Sequence, residues 1–321
     1  MEKIYDVIII GAGPAGLSAA LYTSRSKLST LILEKSKTGG QIVTTSEVAN
    51  YPGSVHEADG METSGPKLIA RMVKQAEYFG AERLMKEVIS YDFSGDIKTV
   101  TTIDGTIFKA KSIIIATGAY SRKLGIPGEK ELTGKGVSYC ATCDADFFTD
   151  LEVFCVGAGY AAAEEAMYLT KFARKVTIVA REPEFTCAKS ISDKVFANPN
   201  INVLFNTEIT SLEGDGILEK ASFKNNITGE TWDYLADEDD GTFGVFVFIG
   251  YIPATKLFKD NINMDQWGYI LTDEYMNTNV PGVFAAGDLR PKNLRQVITA
   301  ASDGAIAATT AEKYIAEKFG H

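Results

Sequence analysis

Two cysteines separated by two residues, Cys140 and Cys143, are the side chains of this sequence best suited to redox chemistry. This spacing permits a short disulfide ring, and it can lower the pKa of one thiol, especially at the start of a helix. A thiolate that forms near neutral pH can attack the disulfide of a partner protein. The sequence therefore predicts a redox-active pair.

The other cysteines and the histidines argue against competing uses of that pair. Four cysteines in 321 residues are too few for the disulfide framework of a secreted protein, so the close pair is better explained by redox or metal chemistry. We expect a cytoplasmic location, because the sequence begins with a strand-like segment instead of a signal h-region and offers no stretch that would span a bilayer. We expect Cys155 to be a core thiol and Cys187 to be incidental. Zinc usually needs four nitrogen or sulfur ligands, and the sequence offers no second close cysteine pair and only His56 and His321. We therefore predict no metal site.

Asp144 directly follows the pair and has two interpretations that can hold together. As a partly desolvated carboxyl group, it could act as a general acid that donates and accepts the proton of a leaving thiolate. It could also cap the turn that follows it. We count Asp144 with the two cysteines as a candidate catalytic residue.

A glycine-rich segment near the start of the chain, Gly11-Ala-Gly13-Pro-Ala-Gly16, follows a short apolar strand and opens a helix. Gly11 permits the tight turn, Gly13 lets the backbone approach a pyrophosphate, and Gly16 allows close packing of helix on strand. Glu34 ends the next predicted strand, where a carboxylate can accept hydrogen bonds from a ribose. The segment predicts a dinucleotide site; the alternative is a structural turn beside a surface glutamate.

A second segment of the same kind begins at Gly157, but its nucleotide chemistry looks altered. The position that corresponds to Glu34 is Ala180, which disfavours NAD. Arg181 follows Ala180 and is itself followed by Glu182 and Glu184, and each carboxylate would repel a phosphate at about 4 Å by ~1 kcal/mol. The fold of a nucleotide domain is predicted here without its ligand. The alternative is that NADPH binds through Arg181 and lysines elsewhere, such as Lys189.

The repeated glycine segments predict an α/β protein with two nucleotide-binding domains, Rossmann-like and three-layered, the second inserted into the first. The predicted boundaries are 1–118 and 247–321 for the first domain and 119–246 for the second. The formal charge of −10 makes nucleic acid an unsuitable partner. The sequence has no apolar stretch of the ~18 to 20 residues that would span a bilayer.

Several further motifs make the chain resemble the bacterial-type low-molecular-weight thioredoxin reductases over nearly its whole length. Besides the cysteine pair and the glycine segments, they include Gly39-Gly-Gln41, Glu47-Val-Ala-Asn50-Tyr-Pro-Gly53, Ala116-Thr-Gly118, Ile126-Pro-Gly128, Gly287-Asp288 and Arg295-Gln296-Val297, in the order of the family. The resemblance implies a homodimer that reduces thioredoxin through FAD. It implies that Cys143 lies next to the flavin ring and that Cys140 attacks thioredoxin. The residues that it places near FAD are Gly11, Gly13, Ala15, Glu34, Gly40, Gln41, Asn50, Val88, Ala116, Gly118, Asp288, Arg295, Gln296 and Val297.

The chain departs from that family where NADPH should bind. The family has His-Arg-Arg followed three residues later by Arg, and this chain has Ala180-Arg181-Glu182 with Thr186. The usual Gly-His after the late strand is Gly250-Tyr251. These losses resemble the ferredoxin-dependent flavin thioredoxin reductases, which implies ferredoxin as the electron donor. An NADPH-dependent reductase is the alternative, and a flavin redox sensor without sustained turnover is a third.

Ferredoxins and many thioredoxins are acidic, as this chain is, so net charge cannot attract them. A local basic patch would have to do so, and Arg290, Lys292 and Arg295 are the predicted patch. The alternative is that these cations pair with nearby carboxylates.

Overall fold

The computed structural model describes residues 3–44, 48, 50–53 and 64–320. These residues form two compact units: residues 1–120 with 252–321, and residues 121–251 inserted between them. The fold is α/β with two Rossmann-like sheets, as predicted. The finer assignment of functional domains, with boundaries after residues 118 and 246, stays a prediction.

The first unit is built on a mixed sheet whose central strands are apolar on both faces. Its strands are β1 (Ile4–Ile10), β2 (Thr30–Glu34), β3 (Glu82–Met85), β4 (Val88–Asp92), β5 (Lys98–Thr102), β6 (Ile107–Ile115) and the late strand β17 (Val283–Ala285). The short β7 (Ala119–Ser121) follows β6 in the chain and is not part of this sheet. The order is β3-β2-β1-β6-β5-β4, and β17 pairs with β6. Strands β1, β2, β3, β6 and β17 run parallel, whereas β5 runs antiparallel to β6 and to β4. Covered parallel strands need apolar residues on both sides, which explains the run Ile8-Ile9-Ile10.

Three helices and a second apolar cluster cover the two faces of this sheet. The helices are α1 (Pro14–Arg25), α2 (Gly65–Tyr78) and α6 (Val297–Phe319). Val7, Ile9 and Ile32 pack with the helices, and their neighbours Ile8 and Ile10 pack in the cluster on the other face. Because successive side chains of a strand point to opposite faces, the sheet carries an apolar layer on each of its two sides.

The inserted unit repeats this plan with a fully parallel sheet. Its strands are β8 (Val137–Ser138), β9 (Glu152–Val156), β10 (Lys175–Val179), β11 (Ile201–Leu204) and β15 (Gly244–Val247), in the order β11-β10-β9-β15-β8. The helices are α3 (Ala141–Asp144), α4 (Tyr160–Leu169) and α5 (Lys189–Phe196). A three-stranded antiparallel sheet, β12 (Thr207–Glu213), β13 (Lys220–Asn225) and β14 (Thr231–Leu235), packs on the opposite side through Leu212 and Phe223. At the unit boundary, β16 (Tyr251–Pro253) pairs with β7.

Candidate active site

The cysteine pair is joined by a disulfide at the start of α3. The Cα atoms of Cys140 and Cys143 lie 5.3 Å apart. Cys140 has an extended backbone and directly precedes the helix, and its carbonyl oxygen accepts the backbone N–H groups of Cys143 at 3.3 Å and Asp144 at 3.2 Å. Both cysteines are half-buried. The turn of helix therefore holds the two cysteines in a short disulfide ring, with part of their surface accessible.

A buried serine links Asp144 to the backbone of Cys140. The hydroxyl of Ser138 donates to Oδ2 of Asp144 at 2.5 Å and accepts the N–H of Cys140 at 3.1 Å. Burial raises the pKa of Asp144, the hydrogen bond from Ser138 acts in the opposite direction, and the nearby charge of Asp146 raises it further. A carboxyl group with a raised pKa is suited to donate a proton near neutral pH.

Two findings here differ from the sequence analysis. The side chain of Asp144 makes no capping hydrogen bond to the turn Ala145–Phe148 among the described residues, so the capping prediction is wrong. Sequence reasoning also gave no role to Ser138, although it stands two residues before Cys140. A serine so close to a reactive pair, with a carboxylate following that pair, is the signal that could have identified it.

The first glycine turn is shaped by close contacts at two positions and open at a third. A Cβ atom on Gly11 would lie 2.3 Å from the carbonyl oxygen of Ala116, and the φ of Gly11 is +110°. A Cβ atom on Gly16 would lie 1.9 Å from the carbonyl oxygen of Gly11. A Cβ atom on Gly13 would meet no atom of the described residues within 4 Å. Gly11 and Gly16 are thus required by the fold, and Gly13 is not.

Two residues named in the sequence analysis contact this turn. Oε2 of Glu34 accepts the N–H of Ala12 at 2.8 Å. A Cβ atom on Gly40 would lie 3.6 Å from Cα of Gly13. The carboxylate predicted to bind ribose and the Gly39-Gly40 segment are therefore beside the turn that opens α1.

The late part of the chain returns to the same turn. A Cβ atom on Gly287 would lie 2.9 Å from Cβ of Ala15, which brings the neighbouring Asp288 to the start of α1. Oδ1 of Asp288 is buried and has no hydrogen-bond partner within the part of the chain that the structure describes. Nδ2 of Asn50 donates to Oε1 of Gln296 at 3.1 Å. Gln296 also caps α6, and buried Val297 begins that helix.

The remaining predicted site residues are less closely tied to the turn. Gly118 has a φ of +72° and its carbonyl oxygen accepts the N–H of Ala254 at 2.9 Å. Gln41 is exposed in a short 3-10 helix. The guanidinium carbon of Arg295 lies 4.9 Å from the ring centre of Tyr269. Val88 packs against the apolar cluster on the other face of the sheet from Ala12 and Ala15, so the structure does not bring Val88 to the glycine turn.

The second glycine turn, at Gly157, resembles the first in its backbone, but the side chains that follow the next strand are different. Gly157 has a φ of +139°, and its Cβ would lie 2.5 Å from the carbonyl oxygen of Phe248. Ala180 is fully buried after β10. Arg181 donates from Nε to Oε1 of Glu182 at 3.0 Å, and its side chain is 78% exposed. The hydroxyl of Thr186 donates to the carbonyl oxygen of Ala158 at 3.2 Å.

These features agree with what comparison with known proteins shows. Residues 5–304 match the family model described as pyridine nucleotide-disulphide oxidoreductase. A protein of Peptoclostridium acidaminophilum named thioredoxin reductase is 60% identical over 99% of both chains. The thioredoxin reductase of Listeria monocytogenes is 46% identical over 98% of this chain and 95% of its own. The crystal structure of thioredoxin reductase from Streptococcus pyogenes superposes with a TM-score of 0.90, at 41% identity over 99% of this chain and 100% of the other.

The chain belongs to the thioredoxin reductase family. It is a flavin disulfide oxidoreductase, and FAD is the cofactor of the family. The residues at the first glycine turn fit this cofactor, since an open Cα at Gly13, the N-terminus of α1 and an unpaired acceptor on Asp288 would suit a pyrophosphate and a hydroxyl group. The resemblance stated from the sequence is thereby confirmed at the level of the family.

The structure corrects one prediction about this thioredoxin reductase family member. The segment from Arg290 to Arg295 was predicted to form a basic docking patch. Instead Nη1 of Arg290 and Nζ of Lys292 both contact Oδ2 of Asp303, at 2.9 and 2.8 Å, and their side chains are only 13% and 10% exposed. The prediction of an exposed basic patch is therefore wrong for Arg290 and Lys292, and the alternative, pairing with carboxylates, is confirmed for these two residues. The sequence could not show it because Asp303 reaches the cations from α6.

The described ranges contain neither a membrane-spanning helix nor a cluster of metal-ligating side chains. No helix there is long and apolar enough to cross a membrane. No group of three or more histidine, cysteine, aspartate or glutamate residues is arranged to hold a metal ion there. His56 and His321 lie outside the described residues.

Proposed function

We propose that this chain reduces the disulfide of thioredoxin and takes its electrons from reduced ferredoxin. Reduction of thioredoxin is supported by the names of the most similar relatives and by the Cys140–Cys143 disulfide. The choice of donor rests on one observation, the ion pair between Arg181 and Glu182 at the second glycine turn.

That ion pair disfavours NADPH for a simple electrostatic reason. The 2'-phosphate of NADPH needs cations, and the guanidinium of Arg181 is already matched by Glu182 at 3.0 Å. A phosphate placed there would meet the charges of Glu182 and Glu184, each opposing it by about 1 kcal/mol at 4 Å in water. Ala180 adds no hydrogen-bonding group where a ribose would lie. Ferredoxin needs no such site, because it delivers electrons to the flavin directly.

The chemistry at the cysteines follows from thiol–disulfide exchange. When bound, FAD can accept electrons singly and deliver two to a disulfide. With two protons, these electrons convert the Cys140–Cys143 disulfide to two thiols. The thiolate of Cys140 attacks the thioredoxin disulfide and forms a mixed disulfide. The thiolate of Cys143 then attacks Sγ of Cys140, which restores the ring and releases thioredoxin as a dithiol.

Asp144 has the proton-handling role in this sequence. Protonated on Oδ1, it can donate to a cysteine sulfur that leaves as a thiolate, while Oδ2 keeps the hydrogen bond from Ser138. The raised pKa of Asp144, caused first by burial, keeps a protonated fraction available. Cys143 as the sulfur next to the flavin and Cys140 as the attacking sulfur belong to the same proposal.

The proposal extends to the assembly, the location and the FAD contacts. It includes a homodimer in the cytoplasm, supported by the family resemblance and by the low cysteine content. Contacts to FAD are assigned to the residues at the first glycine turn and to those that return to it. They are Gly11, Gly13, Ala15, Glu34, Gly40, Gln41, Asn50, Ala116, Gly118, Asp288, Arg295, Gln296 and Val297. Val88, which lies away from that turn, is assigned to FAD by the family resemblance alone.

NADPH is the second candidate donor because the matched family is named for a pyridine nucleotide. Anaerobic stopped-flow measurement of flavin bleaching separates the two donors. We expect reduced ferredoxin to bleach the flavin and excess NADPH to leave it oxidised over many seconds. Rapid bleaching by NADPH, with none by ferredoxin, would reject the ferredoxin donor and leave thioredoxin reduction in place.

A further inference from the structure

Asp303 is a buried carboxylate that collects three donors on one oxygen. Its Oδ2 accepts the N–H of Gly287 at 3.0 Å, Nη1 of Arg290 at 2.9 Å and Nζ of Lys292 at 2.8 Å. Arg290 is fixed further by Thr272, whose hydroxyl oxygen accepts its Nε–H at 2.6 Å. Charge-assisted hydrogen bonds of this kind hold both partners in place. The ammonium of Lys292 therefore has a defined position below the surface.

That position is next to Asp288. Nζ of Lys292 lies 4.0 Å from Oδ1 of Asp288, which is too far for a hydrogen bond and close enough for strong attraction. The Lys292 side chain is 10% exposed, so solvent and salt screen this attraction weakly. Oδ1 itself is buried and accepts no hydrogen bond from the described residues.

The cluster is packed directly on the first glycine turn. A Cβ atom on Gly304, the residue after Asp303, would lie 2.1 Å from the carbonyl oxygen of Ala15. A Cβ atom on Gly287, the residue before Asp288, would lie 2.9 Å from Cβ of Ala15. Helix α6 and the loop after β17 therefore bring the cluster to the start of α1.

We propose that Lys292, anchored by Asp303, is a positioning residue for FAD: its ammonium keeps Asp288 ionised and leaves Oδ1 free to accept a hydrogen bond from a hydroxyl group of the cofactor. This inference rests on the placement of Asp288 at FAD in the proposed function. Lys292 acts through Asp288 and need not touch the cofactor.

The charges that face Asp288 determine the pH at which this arrangement fails. The pKa of Asp288 is raised above its usual value, mainly by burial and also by the charge of Asp303, and the cations Lys292 and Arg295 limit that rise. Tyr269 also interacts electrostatically with Asp288. If the charge of Lys292 is removed, burial and Asp303 still raise the pKa of Asp288, and of these two cations only Arg295 remains to lower it. Asp288 would then take up a proton at a higher pH, and a protonated carboxyl is a weaker acceptor.

The test measures FAD binding to the apoprotein, independently of any electron donor. FAD is removed, and the protein is titrated with FAD at several values between about pH 5 and pH 9. We expect Lys292→Met to weaken binding about tenfold or more near neutral pH, with the loss of affinity beginning at a higher pH than in the unsubstituted protein. Lys292→Arg should restore the original profile. Lys313→Met, which removes an exposed charge from α6, is the matched control and should bind FAD normally.

Three results would overturn the inference or its basis. The inference would be rejected if the FAD affinity of Lys292→Met followed the same pH profile as that of the unsubstituted protein. It would also be rejected if Lys292→Met lost the same FAD affinity at every pH and Lys292→Arg did not restore it. Normal FAD binding by Asp288→Leu, which has no acceptor at this position, would instead reject the placement of Asp288 at FAD. If the methionine variant does not fold, Lys292→Gln replaces it with the same expectation, since glutamine can still donate to Asp303 without the charge.

Discussion

Ser138 and Asp144 form a hydrogen bond of 2.5 Å across the start of the helix that carries the cysteine pair. The same serine oxygen accepts the N–H of Cys140 at 3.1 Å, so a proton-carrying group and the backbone of a reactive cysteine share one partner. Ser138 is buried at the end of β8, which fixes this geometry on a strand of the parallel sheet. The first two predictions follow from it.

Replacing Asp144 by asparagine should slow reduction of the Cys140–Cys143 disulfide by about a hundredfold, because a general acid is lost. The rate of the unsubstituted enzyme should fall as the pH rises through the raised pKa of Asp144, since the donating form is the protonated one. The variant should be slow and insensitive to pH over the same range. The rate at which thiols appear after anaerobic reduction of the flavin, followed at several pH values, measures the unsubstituted enzyme and the variant. Asp150→Asn, at an exposed carboxylate that is not among the groups acting on Asp144, is the control, and an equal rate in the two variants would contradict the role of Asp144.

Replacing Ser138 by alanine should shift the same pH profile toward higher pH. The hydrogen bond from Ser138 favours the ionised form of Asp144, so its removal leaves burial less opposed and raises the pKa of Asp144 further. The rate at low pH should stay within the range of the unsubstituted enzyme if the backbone of Cys140 keeps its position. A profile displaced toward lower pH would show that Ser138 does not act on the carboxylate.

Gly13→Ala should impair FAD binding without destabilising the fold, whereas Gly11→Ala should destabilise the fold itself. The φ of Gly13 is −76°, and an added Cβ meets no described atom within 4 Å, so Gly13→Ala should change the stability of the apoprotein by less than about 0.5 kcal/mol while it blocks the approach of a pyrophosphate. Gly11→Ala combines a φ of +110° with a contact of 2.3 Å and should destabilise the apoprotein by about 1–3 kcal/mol or more. Urea unfolding and the flavin absorbance per chain measure the two effects. Stoichiometric FAD in Gly13→Ala would contradict the site.

Supplying cations at the second glycine turn should create a response to NADPH. The double variant Glu182→Arg with Thr186→Arg removes the partner of Arg181 and adds positive charge, so NADPH should bleach its flavin measurably faster than that of the unsubstituted enzyme. Thr228→Arg with Glu230→Arg adds the same charge in an exposed turn of the same unit and should have no effect. If NADPH reduces the unsubstituted enzyme as fast as the double variant, the ion pair is not what excludes it.

The parts of the site that could be predicted from the sequence are those formed by residues adjacent in the chain. The glycine turns and the cysteine pair are local motifs, because a tight turn or a short disulfide ring depends on a few adjacent positions. The resemblance added Asn50 and Gln296, which the structure joins at 3.1 Å. Val88 was assigned by resemblance alone, and it packs on the other face of the sheet.

The cluster around Asp303 was missed for a physical reason. A run of cations in a sequence reads as a surface patch, and only tertiary packing shows that α6 supplies a buried carboxylate to Arg290 and Lys292. The antiparallel sheet β12–β14 was also absent from the sequence analysis. Within the residues that the structure describes, its strands pair only with each other, as hairpins, so the glycine motifs do not indicate where they lie.

In the proposed function, electrons reach thioredoxin through the Cys140–Cys143 pair. An anaerobic assay tests this by counting the thiols formed on oxidised thioredoxin when the enzyme is given reduced ferredoxin or, separately, NADPH, with Cys143→Ser as the inactive control. We expect two thiols per thioredoxin with ferredoxin and none above background with Cys143→Ser. If the unsubstituted enzyme forms no thiols with either donor, the pair does not pass electrons to thioredoxin, and a flavin redox sensor is favoured.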